Sequence, residues 1–146
     1  MTRRGRADSV NESRYFAYNQ AKGTILEGVV LLDRQRGWAV GEYGTVLRTQ
    51  DGGTAWIQMR NVPTPTWLRG VRFIDERHGW AVGSYETVLK TENGGKSWAH
   101  QKIPTPRRLF GLPMAYESVR FGDAEGWIVG QYGNIPRTVS VTSLAP

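Results

Sequence analysis

Cysteine is absent from the 146 residues and histidine occurs only twice. A disulfide framework and a thiolate metal site are therefore excluded, and the chain is compatible with a reducing compartment. His78 and His100 fall at different places in the sequence pattern, one in a turn and one on an outer strand, so neither is expected to serve as a base or a metal ligand. Long apolar runs are missing too. The first 14 residues carry Arg3, Arg4, Arg6 and Arg14 against Asp8 and Glu12 with no apolar stretch behind them. Neither a secretory signal nor a membrane span is expected, which leaves the cytoplasm as the default location. Helical periodicity is also lacking, and this argues against a solenoid of helix pairs.

What is present is repetition. Gly37-Trp38-Ala39-Val40-Gly41 returns as Gly79-Trp80-Ala81-Val82-Gly83 and as Gly126-Trp127-Ile128-Val129-Gly130. Ahead of these phrases stand Gly28-Val-Val-Leu-Leu-Asp33, Gly70-Val-Arg-Phe-Ile-Asp75 and Ser118-Val-Arg-Phe-Gly-Asp123. Behind them come Thr45-Val-Leu-Arg-Thr49, Thr87-Val-Leu-Lys-Thr91 and Asn134-Ile-Pro-Arg-Thr138. In the first two units a Gly-Gly turn then leads into Trp56 and Trp98. Each complete unit thus reads as four short strands joined by tight turns. A period of about 42 residues with four strands per unit is the pattern of a β-propeller blade. Trp38, Trp80 and Trp127 lie in runs with no polar residue, as expected for inner strands covered on both faces, and are read as structural core.

The expected fold is all-β, with blades at 25–62, 67–104 and 116–140 and a disordered basic tail at 1–12. The third blade is incomplete, because after Thr138 there is neither a Gly-Gly turn nor a tryptophan. Residues 13–22, around Ser13-Arg-Tyr-Phe-Ala-Tyr-Asn-Gln20, read as a displaced fourth strand. Three blades are too few for a ring, since propellers have about four to eight. The expectation is a homodimer that closes six blades head to tail, each N-terminal strand completing the third blade of its partner. Pro136 occupies the position of Leu47 and Leu89 and cannot donate to the ladder, so its strand should be an edge or be imperfectly paired.

Thr49-Gln-Asp51-Gly-Gly53-Thr-Ala-Trp56 resembles the Asp box of bacterial neuraminidase repeats, and Thr91-Glu-Asn93-Gly-Gly95-Lys-Ser-Trp98 is similar with Asn for Asp. The whole unit, over roughly residues 25–138, resembles the repeats of the photosystem II assembly and stability factors and their bacterial relatives. The box also has a purely structural account. Asp51 can accept turn N–H groups, Gly53 can take a positive φ, and Trp56 can fold over the hairpin. Asn93, Gly95 and Trp98 should do the same, since an amide still bonds the turn while it replaces a catalytic acid poorly.

Function must come from the surface that repetition builds. Arg48, Lys90 and Arg137 should form a basic circle, and Tyr43, Tyr85 and Tyr132 an aromatic one. Together they are the candidate binding face for a protein segment or an anionic polymer, because Tyr and Arg are frequent interface anchors. The plainer alternative is ordinary solvated edge residues and turn packing. Nucleic acid is not expected as a partner, because the net charge of +6 is modest and no groove-reading helix is present. The reading is a non-enzymatic interaction scaffold without cofactor, its partners being a second copy of itself and a protein segment. The alternative is a carbohydrate-binding or sialidase-like glycosidase propeller. The resemblance implies that such an enzyme needs three arginines gripping a carboxylate, a Tyr activated by Glu, and an Asp acid. Asp33, Asp75 and Asp123 instead recur at strand ends as turn caps, and Glu27, Glu42, Glu76, Glu86, Glu117 and Glu125 lack a paired context.

Overall fold

Valine, leucine and tryptophan runs separated by Asp- and Gly-bearing turns become hairpins throughout the computed structural model, which describes residues 24–103, 112–122, 125–133, 135 and 137–140. The tail expected at 1–12, the strand expected at 13–22, Asp123 and Pro136 lie outside the described residues. In the first unit β1 (Leu26–Leu31), β2 (Gly37–Gly41), β3 (Val46–Thr49) and β4 (Ile57–Gln58) form one antiparallel sheet in chain order. In the second, β5 (Leu68–Phe73), β6 (Gly79–Gly83), β7 (Val88–Thr91) and β8 (Ala99–His100) do the same. Their registers coincide: Trp38 faces Arg48 across the ladder, as Trp80 faces Lys90. The third sheet has three strands among the described residues, β9 (Tyr116–Phe121), β10 (Glu125–Gly130) and β11 (Arg137–Ser140), in the order β11-β10-β9. Here β11 is an edge, and its pairing with β10 slips between Glu125 and Trp127, the imperfect outer ladder expected beside Pro136.

The first hairpin of each complete unit closes on an aspartate. Asp33 Oδ1 accepts the N–H groups of Gln35 and Arg36 at 2.8 Å each, and Asp75 Oδ1 those of Arg77 and His78 at 2.7 Å each. A short side-chain acceptor at this position satisfies two turn donors at once, so these acids act as caps.

The sheets stack like propeller blades, with β1 beside β5 and β5 beside β9. Their backbones come so close that a Cβ on Gly28 would lie 2.9 Å from the Arg69 carbonyl oxygen, and one on Gly70 2.8 Å from that of Glu117. Away from this axis the junctions are apolar. Val30, Trp38, Val40 and Val46 of the first sheet meet Leu68, Val71, Phe73, Ala81 and Leu89 of the second. Trp38 stacks on Phe73 with ring centroids 3.6 Å apart, and Trp98 closes on Phe73 edge-on. The next junction repeats the arrangement, with Trp80, Val82 and Val88 against Tyr116, Val119 and Ile128. Trp38 and Trp80 are completely buried. At about 200 Å² each, they supply on the order of 5 kcal/mol of gross stabilisation apiece, before ordering costs.

Trp127 departs from its expected place in the core. It is 39 % exposed, because it lies on the far face of the third sheet, where no described sheet follows. Its repeat position is that of Trp38 and Trp80, but among the described residues no following sheet forms the second half of the junction that buries those two.

Candidate functional site

At the end of β3 the chain must reverse toward β4, and the Asp box accomplishes the reversal. The Thr49 hydroxyl donates to Asp51 Oδ1 at 2.9 Å and accepts the Gly53 N–H at 2.9 Å, while Asp51 Oδ1 also accepts the Ala55 N–H at 2.9 Å. That last bond, ahead of the Thr49 hydroxyl, holds the Asp51 carboxyl below its ordinary range despite some desolvation. Gly53 sits at φ 91°, a conformation costly for any side chain, with the Trp56 ring against it. The second box repeats the first: Thr91 donates to Asn93 Oδ1, Gly95 N–H donates to Thr91, and Ser97 N–H donates to Asn93 Oδ1 at 3.0 Å. The amide adds a bond to the Ser97 hydroxyl that a carboxylate could not donate. The Trp98 indole N–H bonds the Gly95 carbonyl at 3.1 Å, and Trp38 from the preceding sheet bonds that of Gly94 at 3.0 Å. The box is thus a turn lock that also ties one blade to the next.

On this rim the junction between the first two sheets opens into a notch of about 280 Å³ lined by Arg48, Glu76, Arg77, Asn93 and Lys96. Arg48 emerges from between the sheets with its guanidinium 5.7 Å from the centre of the Trp38 ring. Its buried Nε has no hydrogen-bond partner. Arg77 Nε donates to the Glu92 carbonyl, whereas Glu76 is paired with Arg36 across the junction. Arg36 also grips Asp33. The backbone N–H of Arg36 first, and then its guanidinium, lower the Asp33 pKa from 3.8 to about 2. The notch therefore presents three cations and one carboxylate that is already neutralised. It can accept a carboxylate or another anion, since the charges of Arg48, Arg77 and Lys96 outnumber the one carboxylate, itself paired with Arg36.

Lys90, the counterpart of Arg48, lies 3.1 Å from Glu92, whose carboxyl it pulls below the ordinary range by hydrogen bond and charge. Arg137 opens β11 opposite Trp127. In both complete sheets the basic residue ends the strand nearest the box, and the tyrosine turn precedes that strand. Tyr43, Tyr85 and Tyr132 are 77, 70 and 75 % exposed, all at positive φ. Their turns are pinned to the segment entering the next sheet by Gly44 N–H to the Thr66 carbonyl and Glu86 N–H to that of Met114. A strand of four residues, about 13 Å, separates the two rims. Arg48 and Lys90 accordingly lie toward the box end of their strands, and Tyr43 and Tyr85 lie in the turns at the other end.

Arg77 and Lys96 were not singled out from the sequence, and Glu76 entered only as a carboxylate without a paired context. The signal was available, since each lies in a turn of the second unit on the rim where the third strand of the first unit ends. The histidines take structural roles. His78 is held by Asp75 at 2.8 Å, and His100 Nε2 lies 2.8 Å from the Pro63 carbonyl oxygen. At Asp75 partial burial raises the pKa, but the hydrogen bonds from His78 outweigh it and the net shift is downward. Among the described residues there is no cluster of three or more metal-ligating side chains, and no helix long and apolar enough to cross a membrane.

Residues 56–139 match the family model of the photosynthesis system II assembly factor YCF48. Among solved structures, YCF48 bound to a D1 peptide is similar at 29 % identity and a TM-score of 0.64 over 79 % of this chain. YCF48 from Cyanidioschyzon merolae is similar at 25 % identity and a TM-score of 0.61, again over 79 %. The chain spans 38 % and 34 % of the lengths of those two proteins. Among curated proteins no match is found. The fold is that of β-propeller blades.

Proposed function

This chain belongs to the photosynthesis system II assembly factor YCF48 family, and from that premise we propose that it is a non-enzymatic scaffold that binds an extended protein segment on its box-side rim. The observation that carries the reading is the notch of Arg48, Arg77 and Lys96, three cations beside one carboxylate that is already paired with Arg36. A bidentate acceptor such as a side-chain or terminal carboxylate satisfies a guanidinium fork, whereas a sugar hydroxyl gives it no charge. The solved relative with a bound D1 peptide supports a peptide as ligand. The glycosidase alternative gains no support, because Asp33, Asp51 and Asp75 are engaged in turn closure.

In this reading Arg48 is the anchor, Arg77 and Lys96 steer the segment, and Trp38 supports the Arg48 stem from beneath. The tyrosine rim offers a second apolar contact on the opposite side. A fluorescein-labelled acidic peptide bearing Asp and Glu and a twin with Asn and Gln in their place separate the possibilities. Fluorescence anisotropy should show saturable binding of the acidic peptide, weakened about tenfold by Arg48→Ala, the cost of one charged hydrogen bond, and weakened again by salt. Equal affinity for the two peptides, or no change in Arg48→Ala, would remove the notch from the account.

A further inference from the structure

The two boxes differ in charge at one position. Asp51 precedes Gly52 in the first, whereas Asn93 precedes Gly94 in the second, the one Asn-Gly pair in the sequence. Asparagine before glycine is the pair most prone to cyclise, because glycine has no side chain to hinder attack by its own nitrogen. Asn93 is exposed and lines the notch with Arg48, Arg77, Lys96 and Glu76. Gly94 adjoins the first of these, since a Cβ on it would lie 3.6 Å from Arg48 Nη1.

The Thr91 hydroxyl and the Ser97 N–H both donate to Asn93 Oδ1, at 3.0 Å each. Two donors at that oxygen stabilise the negative charge it gains in a tetrahedral intermediate. The cations of the notch also favour the deprotonated Gly94 nitrogen that attacks. Against these, the Gly94 N–H is donated to the Arg77 carbonyl at 2.9 Å, so the nitrogen is released only when this contact between the two turns opens.

We propose that Asn93-Gly94 is a self-modification site at which deamidation discharges the notch, an inference that rests on the notch being the anion-binding site. The Gly94 nitrogen bonds to Asn93 Cγ, the Cγ–Nδ2 bond breaks, and ammonia leaves with the proton that Gly94 gives up. Water then opens the cyclic imide at either carbonyl, giving aspartate or isoaspartate. Both products add a carboxylate to the notch, so its three cations meet two carboxylates instead of one. The aspartate product repeats the first box, where Asp51 Oδ1 accepts from Thr49 and Ala55, and it keeps the turn closed. Its charge changes while its fold does not.

Two measurements test the proposal. Mass spectrometry of the full chain after incubation in mildly alkaline buffer should show the amide-to-acid mass gain at Asn93 ahead of Asn61, which precedes a valine. An amide at Asn93 that outlasts that of Asn61 would overturn the site. In the anisotropy assay Asn93→Asp, with a thermal melt matching wild type, should bind the acidic peptide roughly three- to tenfold more weakly, the effect of one like charge in the site. Its affinity for the neutral twin should be unchanged. Equal binding of the acidic peptide by Asn93→Asp and wild type, or a loss shared by both peptides, would overturn the discharge. A wild type that binds neither peptide would fail the notch itself and take the discharge with it, whatever the mass at residue 93.

Discussion

Trp38, Trp80 and Trp127 are spelled alike in the sequence, yet their environments differ with their place in the stack. Two are completely buried and one is 39 % exposed. Trp80→Ala should cost roughly 3–5 kcal/mol in urea unfolding, the scale of an aromatic cavity, and Trp127→Ala less than half of that. Equal losses would mean that the third sheet is covered. The box threonines make a separate case, because the Thr91 hydroxyl satisfies the Gly95 N–H while Asn93 Oδ1 accepts from Thr91 and Ser97. Asn93→Asp keeps every acceptor and should stay within about 0.5 kcal/mol of wild type, whereas Asn93→Ala orphans the Ser97 N–H and should cost about 1–2 kcal/mol. Asp33 adds a pH dependence. Its folded pKa is depressed from 3.8 to about 2, so its contribution to stability is complete above about pH 4 and is lost as pH falls toward 2. Asp33→Asn should flatten that part of the pH-stability profile, and an unchanged acid limb would show that the turn does not feel the charge.

At the scale of elements, the sequence disclosed the hairpins and the order of strands because each unit carries its own punctuation. Asp33 and Asp75 close the first hairpin, Gly-Gly the last, and the apolar Gly-Trp phrase lies between. The tyrosine turns were legible as turns, but their conformation was not. Three tyrosines share φ 56–60°, and the turns of Tyr43 and Tyr85 are tied to the next sheet by hydrogen bonds that no local pattern announces. Gly44 shows how tight that docking is, since a Cβ there would lie 1.9 Å from the Thr64 carbonyl oxygen. Gly44→Ala is therefore expected to destabilise by at least about 2 kcal/mol through clash and the left-handed backbone together. A thermal melt within a degree of wild type would contradict the register of that turn. The notch was illegible for a related reason. Arg48 comes from one unit, and Arg77 and Lys96 from turns of the next, so the cluster exists only once the sheets are stacked.

Over the whole molecule, repetition determines the strength of the fold. Each junction seats a tryptophan of one sheet against an aromatic of the next, Trp38 on Phe73 and Trp80 on Phe121. Basic residues flank these tryptophans across the ladders, with Arg48 beside Trp38 and both Arg72 and Lys90 beside Trp80. The same geometry that builds the core thus delivers cations to one rim, the rim on which we propose that an extended segment binds. Hydrogen exchange of the chain with and without the acidic peptide tests this claim most directly. The account predicts protection concentrated at residues 75–77 and 93–96 and at the end of β3 beside Arg48, with the turns at 42–44 and 84–86 unchanged. Protection confined to the tyrosine turns, or none at saturating peptide, would contradict it.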